Sequence, residues 1–346
     1  MKQLVDKLKA EHSLTREEYE ALLSGRTEEL EQYTRELARQ VTVSNFGTDI
    51  YIRGLIEFTN ICKRDCYYCG LRRSNTLCKR YRLTDEDILT CCENGYRLGF
   101  RTFVLQGGED GGFADDELCH IVKEIKRRYP DCAVTLSVGE RPREIYQQYF
   151  DAGADRYLLR HETADEEHYG KLHPAGVSLQ ERKQCLWNLK EIGFQVGTGF
   201  MVGSPYQTVD TVCSDLLFIE ELKPQMIGIG PFIPHKDTPF GKEPAGALDL
   251  TLFLIALLRL AHPFALIPAT TAVGTLAEDG RELAILSGAN VVMPNLSPNM
   301  HRKDYSLYDN KLSDGAEAAE AREALDARLA KIGYRTVTAR GDYQEV

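Results

Sequence analysis

Three cysteines stand within eight residues in the string Cys62-Lys-Arg-Asp-Cys66-Tyr-Tyr68-Cys69. Thiolates are soft ligands that suit zinc or iron–sulfur clusters. A structural zinc site wants four protein ligands in a closed tetrahedron, and this loop offers three. Cys78 would be the fourth in a zinc reading. A zinc knuckle usually pairs two C-x2-C halves, however, and only one is present here. Three cysteines on one short loop suit a [4Fe–4S] cluster whose fourth iron stays open to another ligand.

The cysteine loop follows the first of eight short apolar runs: Leu55–Phe58, Thr102–Leu105, Ala133–Val138, Arg156–Leu159, Val196–Met201, Met226–Ile229, Phe264–Ile267 and Asn290–Met293. Helix-spaced stretches separate them, such as Ser178-x-x-Glu181 leading into Leu186 and Leu189. Strands alternating with helices imply a parallel sheet, because parallel neighbours need a long crossover. Eight such units predict an α/β chain folded as a (β/α)8 TIM barrel, in which chemistry belongs at the C-terminal ends of the strands. The polar motifs obey that rule. After successive runs come Gln106-Gly107-Gly108-Glu109, Gly139-Glu140, Arg160-His161-Glu162, Gly203-Ser204-Pro205, Gly230-Pro231, Thr270-Thr271 and Pro294-Asn295. Residues 1–48 read as an N-terminal helical extension, with Thr15 and Glu18 as a capping box, and 49–346 as the barrel with a C-terminal helix.

Composition excludes several classes. The chain has 346 residues, 43% hydrophobic, and 42 basic against 52 acidic side chains, so 42 − 52 = −10. That acidity disfavours nucleic acid and anionic lipid as partners. The longest apolar run, Leu250–Leu258, is far short of the roughly 20 residues of a membrane span. Charges occupy the N-terminus where a signal peptide would be apolar, so the expectation is a cytoplasmic chain whose ten cysteines are reduced.

The loop and the motifs behind it resemble the radical S-adenosylmethionine (SAM) superfamily, whose signature is C-x3-C-x-aromatic-C. The resemblance implies that Cys62, Cys66 and Cys69 ligate one [4Fe–4S] cluster and that SAM chelates the open iron. It further implies SAM contacts from Tyr68, from Gln106, Gly107, Gly108 and Glu109, and from Ser137, Arg160, Glu162, Arg182 and Met201. The strings RGLIEFTNIC, VLQGGED, AGADRYLLRHETA, IPATTA and MPN resemble the HydE-type maturases of [FeFe] hydrogenase, over about Arg53 to Asn295. That likeness implies assembly of the hydrogenase di-iron subcluster from a small organometallic species bearing cysteine, CO and cyanide. Other maturases and a ferredoxin- or flavodoxin-type electron donor would be its partners. It implies substrate contacts from Arg53, Arg156, Thr270, Thr271 and Tyr305. Read as residues alone, Thr270-Thr271 is better taken as a helix N-cap, and Arg156 as an ion-pair partner of Asp155 or a neighbouring carboxylate; both Arg53 and Arg156 start strands, which does not place them at the mouth. No cysteine follows residue 305, which tells against a second cluster and against biotin synthase. Methylornithine synthase is the alternative enzyme, and a metal-delivery scaffold the alternative from another class.

Overall fold

The structure, a computed structural model, describes residues 1–312 and 319–344. Its strands are β1 (Asp49–Ile52), β2 (Gly54–Thr59), β3 (Thr102–Gly107), β4 (Ala133–Ser137), β5 (Arg156–Leu158), β6 (Gln195–Thr198), β7 (Met201–Val202), β8 (Met226–Ile227), β9 (Gly230–Pro231), β10 (Val291–Val292) and β11 (Arg335–Val337). β2, β3, β4, β5, β6 and β8 pair in that order, all parallel. Beyond β8, single bridges continue the ring. Met226 meets Leu266, Pro268 meets Val291, β10 runs beside β1, and Asn295 meets Leu55 of β2. Eight parallel segments thus close a barrel, as the alternation of runs requires.

Three runs depart from simple strands. Val196–Met201 breaks into β6 and β7 at Gly199, where a Cβ would stand 2.0 Å from the Gly228 carbonyl oxygen; only glycine permits that approach. Met226–Ile229 breaks likewise, and β7 pairs β9 as a short upper layer above the ring. The Phe264–Ile267 run keeps bridge contacts alone, and Pro268, next along the chain, has no backbone N–H to give.

Three helices, Lys2–Glu11, Arg16–Ser24 and Glu28–Phe46, precede the barrel, the second with the Thr15/Glu18 capping box in place. They lie on barrel helices Val209–Leu222 and Leu248–Ala261. The latter is therefore buried on every side from Thr251 to Ala261, which explains its almost unbroken apolar sequence. No helix among the described residues is long and apolar enough to cross a membrane.

A C-terminal helix, Arg322–Lys331, follows the barrel, and the strand after it was not expected from the sequence. β11 pairs with β1 on the side away from β10. The chain then crosses the N-terminal end of the barrel. There the Arg340 carbonyl oxygen accepts from Thr102 (2.8 Å) and Arg156 (2.9 Å), and the Tyr343 N–H donates to Gln195 (3.0 Å).

Candidate active site at the barrel mouth

Each parallel strand releases its polar motif at the same end, and a cavity of about 350 Å³ opens there. Its wall includes Cys66, Tyr68, Cys69, Gln106, Gly107, Ser137, Arg160, Glu162, Arg182, Met201, Thr270, Thr271 and Tyr305, the larger part of the expected site. These residues are drawn from every quarter of the barrel.

The cysteine loop is held tightly at its base. A Cβ on Gly108 would meet the Ile61 carbonyl oxygen at 2.3 Å and the Cys62 Cβ at 2.8 Å, so glycine is what lets the β3 loop lie against it. The Glu109 N–H donates to the Cys62 Sγ at 3.4 Å. Arg80 ties the two ends of the loop together, donating to the carbonyls of Asn60, Leu71, Arg72 and Asn75 at 2.6–3.1 Å. Burial pushes all three thiols up, Cys66 to about 12. Three soft, half-buried thiols on one loop, with Cys66 and Cys69 lining the cavity and Cys62 just outside its lining, are the donor set that an iron–sulfur cluster takes. Cys78 is turned elsewhere, accepting from the Asn60 amide at 3.6 Å.

On the facing wall, Arg160 donates to the Phe200 carbonyl at 2.5 Å. Its Nε lies 3.8 Å from the Glu162 carboxylate, and neither that Nε nor Glu162 Oε2 has a hydrogen-bond partner among the described residues although both atoms are buried. Such orphaned groups cost about 1–3 kcal/mol each unless a ligand satisfies them. Glu162 also holds φ +66°, in the left-handed region that non-glycine residues avoid. Strain and unsatisfied polar atoms at one residue are a functional signature. These groups match what the ribose hydroxyls and carboxylate of SAM would require. Leu172, Met201, Phe232 and Phe240 cluster with Tyr67 and Tyr68 as an apolar face suited to adenine.

Not every expected residue reaches the cavity. The Glu109 carboxylate faces the cysteine loop, paired with Arg64 Nε at 2.7 Å. Arg64 continues to Glu140 at 2.5 Å, and Glu140 to Arg182 at 2.7 Å. That chain of charges leaves Gly108 and Glu109 behind the wall. Arg53 and Arg156 are the clearer correction. Both start their strands, so both lie at the opposite end, buried under the C-terminal segment. Arg156 is an ion-pair partner, as the residues alone suggest, of the Asp342 carboxylate (2.6 Å), and it also donates to Thr102 at 3.0 Å. Arg53 donates to the Met226 sulfur at 2.9 Å, and burial with Arg156 nearby pushes its guanidinium well below the usual range. Thr270 does occupy a helix N-cap, but its hydroxyl makes no capping bond and is buried without a partner among the described residues.

Residues 56–219 match the radical SAM superfamily model. A curated relative, the [FeFe] hydrogenase maturase subunit HydE of Thermotoga maritima, is 45% identical over 311 residues, covering 90% of this chain and 88% of that one. The chain belongs to that family. It is accordingly a radical SAM enzyme of the hydrogenase maturase group, with a [4Fe–4S] cluster and SAM as cofactors. The 3-methylornithine synthase of Methanosarcina barkeri is 30% identical over 90% of this chain and 88% of its own. The crystal structure of a methylornithine synthase superposes with a TM-score of 0.84 at 27% identity, covering 96% and 97% of the two chains.

Sequence reasoning missed two charged residues among those described on the wall. Glu57 is a carboxylate in the middle of an apolar strand, fully buried, and that placement was the available signal. Lys311 reaches it from a loop 254 residues later.

Proposed function

We propose that the cavity binds SAM across the cysteine loop and the β5–β6 wall, and that it processes a small anionic iron species carrying cysteine, CO and cyanide. In this reading Cys62, Cys66 and Cys69 hold the cluster. Arg160 and Glu162 hold the carboxylate and ribose of SAM, with Arg182, Ser137, Tyr68 and Met201 completing its pocket. The bound cofactors supply reductive cleavage of the sulfonium to a 5′-deoxyadenosyl radical. The protein's own part is to orient SAM by charge-assisted bonds, to exclude water with the apolar Met201 face, and to present the substrate to it. Thr270, Thr271 and Tyr305 lie on the remaining wall as hydrogen-bonding groups for cyanide, carbonyl or carboxylate. Arg53 and Arg156 have no part in that contact.

The observation that carries the reading is the pair of orphaned buried atoms, Arg160 Nε and Glu162 Oε2, in the cavity that Cys66 and Cys69 also line. The partners in this reading are the other maturases, which deliver and receive the small iron species, and a low-potential ferredoxin or flavodoxin. The test is anaerobic reconstitution followed by in-vitro maturation of an apo-hydrogenase with the partner maturases. The reading expects 5′-deoxyadenosine and hydrogenase activity that depend on this protein. Conversion of lysine to methylornithine without hydrogenase activation would replace it with the synthase reading that the 30% identical relative supports.

A further inference from the structure

Among the described residues, three cationic side chains line the cavity: Arg160, Arg182 and Lys311. The first two stand with Glu162 and Glu140 on the cofactor side. Lys311 stands with Glu57 and Tyr305, on a wall where the sequence leads us to expect Arg53 and Arg156 to supply the charge. We propose that Lys311 is the specificity-determining cation for an anionic group of the substrate, and that Glu57 is its positioning residue. This deepens the maturase reading and rests on it.

The segment carrying Lys311 is tied across the mouth: Asp304 O accepts from the Asn60 amide (2.7 Å), Leu307 O from the Gly70 N–H (2.8 Å), and the Asp309 N–H donates to Pro234 O (3.0 Å). Lys311 then descends so that its Nζ donates to Glu57 at 2.5 Å and lies 5.1 Å from the centre of the Tyr305 ring. Tyr305 in turn accepts from the Gln106 amide at 3.4 Å. Glu57 has a second donor, the Asn295 amide at 2.9 Å, so it does not depend on Lys311 for its position. The side chains of the ion pair are 0% and 8% exposed.

A pair this buried is weak as a stabilising device, because desolvation offsets the attraction. Its chemistry is incomplete in a directed way. An ammonium offers three donors, and Glu57 is the acceptor it has among the described residues. The Thr270 hydroxyl, which belongs to the lining of the same cavity, is buried with no partner among the described residues. Two donor groups short of acceptors, one of them charged, fit a small anionic acceptor such as a carboxylate. The charge that Arg53 and Arg156 do not bring to the cavity is brought by Lys311.

Two measurements decide the matter. Because Lys311→Met alone would strand Glu57 as a lone buried charge, the principal variant is the neutral, near-isosteric Glu57→Gln/Lys311→Met. The low-molecular-weight iron product of the partner maturases is titrated into the maturation assay. The variant should need at least about tenfold more of it for half-maximal activation, the scale of one charge-assisted hydrogen bond. Its SAM dissociation constant and the electron paramagnetic resonance spectrum of its cluster should match wild type, and Lys311→Arg should recover part of the loss. Unchanged half-saturation, or a parallel loss of SAM affinity, overturns the proposal. Should wild type fail to mature the hydrogenase, the maturase reading falls, and sodium formate decides this inference separately. Formate should raise the melting temperature of SAM-loaded wild type and not of the double variant; equal shifts in both overturn it.

Discussion

Arg156 and Arg160 lie four residues apart, one at the start of β5 and one just past its end, and the protein treats them in opposite ways. Arg156 is fully buried and furnished with protein acceptors: Gln195, Thr102, the Arg340 carbonyl and Asp342. Among the described residues Arg160 has one hydrogen-bond acceptor, the Phe200 carbonyl, and a buried Nε with none. The first arginine belongs to the closed end of the barrel and contributes to its integrity. The second belongs to the open end, where polar groups are left for a ligand to complete. Glu162, two residues further on, adds backbone strain to that open end. One strand therefore separates stability from function along its own length.

The largest way to break this contrast is at the cysteine loop. Serine at Cys62, Cys66 or Cys69 should abolish the cluster, read as iron content and visible absorbance, whereas Cys78→Ser should retain it. Equal loss at Cys78 would revive the four-thiolate zinc reading. Next comes Glu162→Ala, which should weaken SAM binding about ten- to hundredfold with the cluster intact, the worth of roughly 1.5–3 kcal/mol of charge-assisted bonding.

At the closed end, Asp342→Asn should lower unfolding free energy by about 2 kcal/mol in denaturant titration, since it removes the counter-charge of a buried guanidinium. Its SAM affinity should be unchanged. Glu162→Gly sharpens the contrast from the other side: it should lose SAM affinity yet gain up to about 1 kcal/mol of stability by releasing the left-handed backbone. A loss of stability there would mean that the strain is not stored at Glu162.

The smallest effect is acid sensitivity. Burial holds the imidazoles of His173, beside Tyr68, and His262, on the flank, down at about 4. The unfolded chain takes up these protons near pH 6.5 and the folded chain refuses them. Stability is thus full above about 6.5 and falls as pH drops towards 4, by at most about 1.4 kcal/mol per pH unit for each histidine. His262→Gln should flatten that slope; an unaltered slope would assign it to other groups.

What the sequence disclosed follows the range of the interactions involved. Strands β2 to β6 and the loops after them were legible because periodicity and motif lie within a few residues of each other. The closed end was not, because the partner of Arg156 is Asp342, 186 residues away, and β11 gains meaning only by pairing with β1. Lys311 was invisible for the same reason, since nothing local distinguishes it from a solvated lysine. Glu57 was half visible: a carboxylate inside an apolar strand asks for a partner, but sequence does not say which. Glu109 sat in a recognisable motif, yet its carboxylate serves Arg64 rather than the cavity, because Arg64 precedes it on a neighbouring loop.

The most direct test compares Arg160→Leu with Arg156→Leu in one pair of assays, SAM titration of the reconstituted protein and thermal unfolding. The division of β5 into a supporting and a ligand-binding end predicts that Arg160→Leu weakens SAM binding about tenfold or more with its melting temperature kept. Arg156→Leu should lower the melting temperature and bind SAM as wild type does. Loss of SAM affinity in Arg156→Leu at unchanged melting temperature, with Arg160→Leu binding normally, would contradict it.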